Sequence, residues 1–172
     1  MTEASDYLIG AMLIGAGATL VLDLWTAILR RCGLSSLDYA LVGRWFAYMT
    51  SGIFRHHPIA ASPAVRGERL IGWSAHYLIG VVFAGVLLAC GGLDWICHPT
   101  ILPALTIGIG SVLLPFLLMQ PGMGAGIAAS RTPRPAVARL RSLVTHGVFG
   151  LGLYATGWIA GRSGVFRWWG VC

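Results

Sequence analysis

Three strongly polar side chains interrupt long apolar runs, Asp23, His76 and His146, and Gln120 follows just after a fourth run. A carboxylate and two imidazoles can share protons or ligate a metal, and a carboxamide both donates and accepts hydrogen bonds. A charged side chain in hydrocarbon costs about 2.5–3.5 kcal/mol on insertion scales, so Asp23 needs a partner. Two readings stay open. Either Asp23, His76, His146 and Gln120 bind a ligand or ion, or their hydrogen bonds hold helices together. His76 and His146 are the candidate metal ligands, with Asp23 placed to orient one ring through its other N–H. Arg55-His56-His57-Pro58 offers a second imidazole pair, His56 and His57, as a loop metal site or a solvated loop. Metal ion and haem both stay open as cofactors. Covalent haem is excluded, because Cys97-His98 lacks a second cysteine at the required spacing.

The elements that position these residues follow from composition. Of 172 residues, 56% are hydrophobic and 10% charged, with net charge +6, and mean hydropathy is +0.76. Soluble domains carry about 25% charged residues. All twelve basic residues are Arg, scattered between apolar runs, which excludes the continuous basic footprint of a nucleic-acid protein. Four stretches, about 7–29, 70–90, 101–119 and 143–160, approach the roughly 20 residues a helix needs to cross a bilayer. Their continuous Leu/Ala/Gly-rich character speaks for helices rather than barrel strands. The fold class is therefore an all-α integral membrane protein, with residues 1–172 forming one four-helix transmembrane bundle. The acidic start, Glu3 and Asp6, does not read as a cleaved signal peptide.

Ten of the twelve Arg fall in segments 30–69 and 120–142, which the positive-inside rule makes cytoplasmic. Both termini then face outward, as in a multi-pass protein of a bacterial inner membrane. On this map Asp23, His76, His146 and Gln120 lie within about 10 Å of the cytoplasmic boundary. Stripes of small residues accompany them: Gly15-Thr19-Asp23, Gly72-His76-Gly80-Ala84, and His146-Gly150-Tyr154-Gly157-Gly161. Such stripes mark close helix approach, so the polar groups are expected to face the bundle interior. Trp158, Trp168 and Trp169 read as anchors at the outer interface.

The chain also repeats itself. Ala11-Met-Leu-Ile-Gly15-Ala-Gly17 matches Ala104-Leu-Thr-Ile-Gly108-Ile-Gly110, Ile59-Ala-Ala-Ser62 matches Ile127-Ala-Ala-Ser130, and His76/Gly80 matches His146/Gly150. Both copies begin and end outside, so they are expected to form two parallel helix-hairpin repeats. Residues 36–49, with Ser36 as cap, read as a short interfacial helix or an ordinary loop helix. Ser62-Pro63 is expected to open the second span, and Pro133 and Pro135 to break the chain before the fourth. Gly122-Met-Gly-Ala-Gly126 near Arg131 and Arg134 suits either a phosphate or lipid headgroup or flexible helix ends. Cys32 falls on the reducing side, whereas Cys90, Cys97 and Cys172 fall outside, where Cys90 and Cys97 either pair or stay free.

Gly17-Ala-Thr-Leu-Val-Leu-Asp23-Leu-Trp25, Gly43-Arg-Trp45, Phe54-Arg-His56, Gly72-Trp-Ser-Ala-His76-Tyr77 and the run from Pro115-Phe-Leu-Leu-Met-Gln120-Pro121 to Arg131-Thr-Pro133 resemble a bacterial membrane family of unknown function, DUF 2938. The resemblance implies a small inner-membrane protein and supplies no activity or catalytic residue. Three classes follow. One is a protein binding a small ligand, metal or haem at the Asp/His cluster. Another is a transporter or channel subunit, acting as a homo-oligomer because four spans leave little room for a private pore. The third is a scaffold with structural polar residues. Enzymatic machinery is not evident, apart from a hydrolase built on Asp23 and the two His.

Overall fold

The computed structural model describes residues 3–34, 36–163 and Phe166. In chain order it forms α1 (Glu3–Arg31), α2 (Tyr39–Met49), α3 (Glu68–Gly91), the short α4 (Asp94–Cys97) and α5 (Ile101–Gly110). A π-helical turn (Pro115–Met119), α6 (Gln120–Gly122) and α7 (Pro135–Arg162) follow. Four helical stretches, Glu3–Arg31, Glu68–Gly91, Ile101–Gly122 and Pro135–Arg162, are long and apolar enough to cross a membrane. No strand occurs among the described residues.

The helices exceed the expected apolar cores because their polar ends continue the same hydrogen-bond ladder. α7 opens at Pro135 rather than near 143. The proline that was expected to break the chain instead occupies the first helical turn, where its missing N–H costs nothing. The third span is interrupted for a related reason. Pro115 cannot donate to the carbonyl four residues back, so α5 stops at Gly110 and a π-helical turn carries the chain to Met119.

α1 packs between α3 and α7, and α7 packs in turn on α5. Glycines set both hairpin crossings. A Cβ on Gly15 would fall 2.5 Å from Val81 Cα, and one on Gly108 would fall 2.5 Å from Gly150 N. The core gathers Ile14, Ala18, Leu87, Leu88, Ile96 and Leu153 around these crossings. The repeated tripeptides, Ile59–Ala61 and Ile127–Ala129, each form one 3-10 turn. Only the second turn is strained, with Ala128 at φ 47° and Ala129 at φ 58°.

α2 is more firmly built in than the sequence suggests. Its cap is Asp38, whose Oδ1 accepts the Ala40 N–H at 2.9 Å, while the Ser36 hydroxyl is taken by Arg30. Gly43 and Gly72 bring the backbones of α2 and α3 into direct contact, leaving no room for a methyl group on either. Arg44 grips Glu68 in a bidentate pair at 2.7 and 2.9 Å and reaches the Ser62 carbonyl at 2.8 Å. The Glu68 bond raises the Arg44 pKa further. Trp45 is buried, its indole N–H donating to the Phe54 carbonyl at 3.0 Å. The side chains available for a headgroup layer therefore seal α2 onto its neighbours. Ser62-Pro63 does not open α3, which starts at Glu68 behind a left-handed Gly67.

Of the two alternatives for Cys90 and Cys97, a mutual bridge is ruled out. Cys90 is free and exposed, whereas Cys97 is disulfide-bonded. Cys90 stands about 200° around α3 from the buried Leu88, so its thiol faces away from the packed surface. Trp168, Trp169 and Cys172 lie outside the described residues.

Candidate functional site

Asp23 sits on α1, two helical turns before Arg30, and therefore on the same face at roughly 10 Å along the axis. The facing turn of α3 supplies His76 and Tyr77. His76 Nε2 donates to Asp23 Oδ1 at 2.9 Å, and the Tyr77 hydroxyl donates to Oδ2 at 2.9 Å. Both carboxylate oxygens are thus engaged, with the His76 and Asp23 side chains only 12% and 15% exposed. The Nε2–H tautomer leaves the other ring nitrogen, Nδ1, with a lone pair able to accept a proton or a donor from a ligand.

Aromatic rings fix the imidazole. Tyr39 stacks on it with centroids 4.1 Å apart, and Trp73 and Tyr77 approach its edges at 5.8 and 5.6 Å. Tyr39 arrives from α2 and is itself buried. Burial, and then the Asp23 charge, push its phenol far above the ordinary tyrosine range, while Arg30 opposes them. At the end of α1 an open depression of about 540 Å³ is lined by Arg30, Gly33, Leu34, Ser36 and Asp38. The Arg30 guanidinium is steered into place by Ser36 and by the Leu37 carbonyl, the latter at 3.0 Å. The carboxylate–imidazole–phenol cluster does not itself line that depression; Arg30, on the helix of Asp23, and Asp38, the cap of the helix that carries Tyr39, do.

The other expected members are elsewhere. His146 Nδ1 lies 2.7 Å from Ser111 Oγ. The Ser111 hydroxyl donates to the Gly108 carbonyl at 2.6 Å, so the imidazole must be the donor to Ser111. Gln120 makes a long 3.5 Å contact to Ser142, and its Oε1 is buried without a partner. His56 is buried with Nδ1 2.8 Å from Ser62 Oγ, whereas His57 is exposed. His76 and His146 bond to different partners, and His56 and His57 differ in burial. No group of three His, Cys, Asp or Glu side chains among the described residues could hold a metal.

A family model described as "Protein of unknown function (DUF2938)" matches residues 12–160. The chain belongs to that family. The matched stretch contains Asp23, Tyr39, His76, Tyr77 and the Ser111–His146 pair. No curated protein and no solved structure matches the chain.

Tyr39, Tyr77 and Ser111 are the residues that sequence reasoning missed. A signal for Tyr77 was present: a carboxylate in an apolar helix has two oxygens, and His76 answers only one of them. No comparable signal marked Tyr39, because its place depends on how α2 docks.

Proposed function

We propose that the chain is a small multi-pass protein of the bacterial cytoplasmic membrane that binds a small polar ligand at Asp23, His76 and Tyr77. The observation that carries this reading is a carboxylate inside an apolar helix, Asp23, answered by His76 and Tyr77 and lying two helical turns before Arg30, which lines an open polar depression. Packing alone does not call for such a device, because glycine contacts already close the α1/α3 crossing. Arg30 suits an anionic group, Asp38 a donor, and His76 Nδ1 a proton or hydrogen-bond donor. Metal binding by His76 and His146 together has less support, since each ring has its own separate partner.

The membrane setting draws support from exposed side chains. Leu70 and Leu102 are each 73% exposed, on helices with the length and composition of spans. Orientation rests on the arginine count, which puts that depression on the cytoplasmic side with both termini outside. The two-repeat reading draws support from equivalent glycines. Gly15 meets Gly80 and Val81, as Gly108 meets Gly150. An axis along the membrane normal would relate these two hairpins.

The test is the content of the protein purified in mild detergent, read by mass spectrometry, elemental analysis and absorption. A stoichiometric small species is expected in the wild type and absent from Asp23→Asn. Equal content in the two proteins would overturn the proposal.

A further inference from the structure

The tetrapeptide Ile-Ala-Ala-Ser occurs twice, and its two copies offer different backbones. In residues 59–62 the Ile59 N–H is taken by the Met123 carbonyl at 3.0 Å, and no residue has a positive φ. In the second copy Ala128 and Ala129 are left-handed, at φ 47° and 58°. A residue with a Cβ holds that conformation only where its surroundings impose it, and such strain gathers at ligand clamps. The tetrapeptide itself does not demand the strain, because the first copy avoids it. Among the described residues, no hydrogen bond engages the N–H groups of Gly126, Ile127 or Ala128. Ile127 opens the 3-10 turn with helical geometry, and Ala128 follows it with left-handed geometry. That succession turns neighbouring N–H groups toward one side and makes an anion-binding concavity.

Charge points the same way. A Cβ on Gly126 would lie 2.9 Å from Arg131 Cγ and would also meet the Ser130 hydroxyl, so the Arg131 stem and that hydroxyl border the same turn. Arg139 ties the turn to α7, its Nε donating to the Ala128 carbonyl at 2.8 Å. Arg131 and Arg134 are exposed, and the chain has no acidic residue after Asp94, so this half supplies no carboxylate to neutralise them. Several N–H donors beside a guanidinium suit a tetrahedral anion with many acceptor oxygens better than a carboxylate with two. We infer that the turn at Gly126, Ile127 and Ala128 binds a phosphate group, with Arg131 as its counter-charge. A phospholipid headgroup and free phosphate share that chemistry. The inference is independent of the Asp23 cluster on α1 and α3.

Ile127→Pro removes one of these donors without breaking a hydrogen bond of the fold. Proline suits the first position of a turn, and Gly126 before it is extended at ψ 167°. Ile127→Ala is the control, because it loses the same side chain and keeps the N–H. Two probes are used on the full-length protein. Inorganic phosphate is titrated calorimetrically in neutral detergent at low salt. Phosphatidic acid is supplied as a minor component of phosphatidylcholine nanodiscs, and the retained lipid is counted by native mass spectrometry. One phosphate or one phosphatidic acid is expected per wild-type chain. Binding of inorganic phosphate makes the free anion sufficient, and retention of phosphatidic acid alone assigns the group to a lipid. Ile127→Pro and Arg131→Gln should each weaken whichever probe binds by about tenfold, while Ile127→Ala binds as the wild type does. Binding of neither probe would overturn the inference. So would equal binding by Ile127→Pro and Ile127→Ala, which would leave only the general charge of the arginines. Unchanged binding in Arg131→Gln, an exposed position whose variant still folds, would overturn it as well.

Discussion

Asp23→Asn separates a binding site from a packing device, because asparagine keeps the shape of the carboxylate and removes its charge. In the native cluster Oδ1 and Oδ2 each accept one hydrogen bond at 2.9 Å. Asparagine can still accept one with its oxygen and donate the other with its amide, once the neighbouring ring or hydroxyl reorients. What is lost is charge assistance. Hydrogen bonds to charged groups contribute about 1.5–3 kcal/mol, and neutral ones about 0.5–1.5 kcal/mol. Two bonds then lose about 2–3 kcal/mol in a fully buried site. Interhelical bonds in membranes average nearer 0.6 kcal/mol, so about 1 kcal/mol is the expected loss. For a chain of this size that lowers Tm by about 3 °C. His76→Ala is different, since it empties the space between Tyr39, Trp73 and Tyr77 and leaves Asp23 with one partner. It should cost about 3 kcal/mol. The assay is unfolding in lipid nanodiscs, followed by circular dichroism at fixed lipid composition. A loss of 3–5 kcal/mol in Asp23→Asn is the cost of breaking a buried ion pair. That result would refute the reasoning and make Asp23 a packing device.

Gly15→Leu and Gly108→Leu should each destabilise the protein by at least 1–3 kcal/mol, because the new side chain meets backbone rather than a movable side chain; thermal unfolding checks both. Arg44→Ala strips Glu68 of a bidentate partner and should lower stability by about 2 kcal/mol, with protease cleavage in residues 50–67 as the readout. The free Cys90 thiol should react with an impermeant maleimide added outside, whereas Cys97 reacts only after reduction. In a cysteine-free background, a cysteine at residue 94 should label from outside and one at residue 62 should not; the reverse would overturn the orientation.

Much of the fold is legible because four long apolar runs leave few choices. Backbone groups must be paired within each span, so four apolar runs predict four helices, and glycines spaced by four predict where they cross. The stripes Gly15-Thr19-Asp23 and Gly72-His76-Gly80 mark interior faces, and these are the faces on which α1 and α3 meet. The place of His146 did not follow from depth alone. Depth groups residues near one boundary, while the direction of each around its helix depends on which neighbour is adjacent. α7 turns His146 toward α5, where the Pro115 interruption leaves Ser111 at a bend. α2 was underread for another reason. Tyr39, Gly43 and Trp45 look amphipathic in isolation, and only the facing Gly72 makes a buried seat for them. The state of Cys90 stayed open in the sequence because seven residues of separation from Cys97 say nothing about the helix face it occupies.

The most direct test of the Asp23 cluster as a binding site is a thermal-shift screen of small polar metabolites, run on wild-type and Asp23→Asn protein in parallel. A ligand at a hundred times its Kd adds about 2.7 kcal/mol, which raises Tm by about 5–10 °C for a chain of this size. At least one anionic or zwitterionic compound should give that rise in the wild type and none in Asp23→Asn. Identical shifts in the two proteins across the screen would contradict a ligand site at Asp23, His76 and Tyr77.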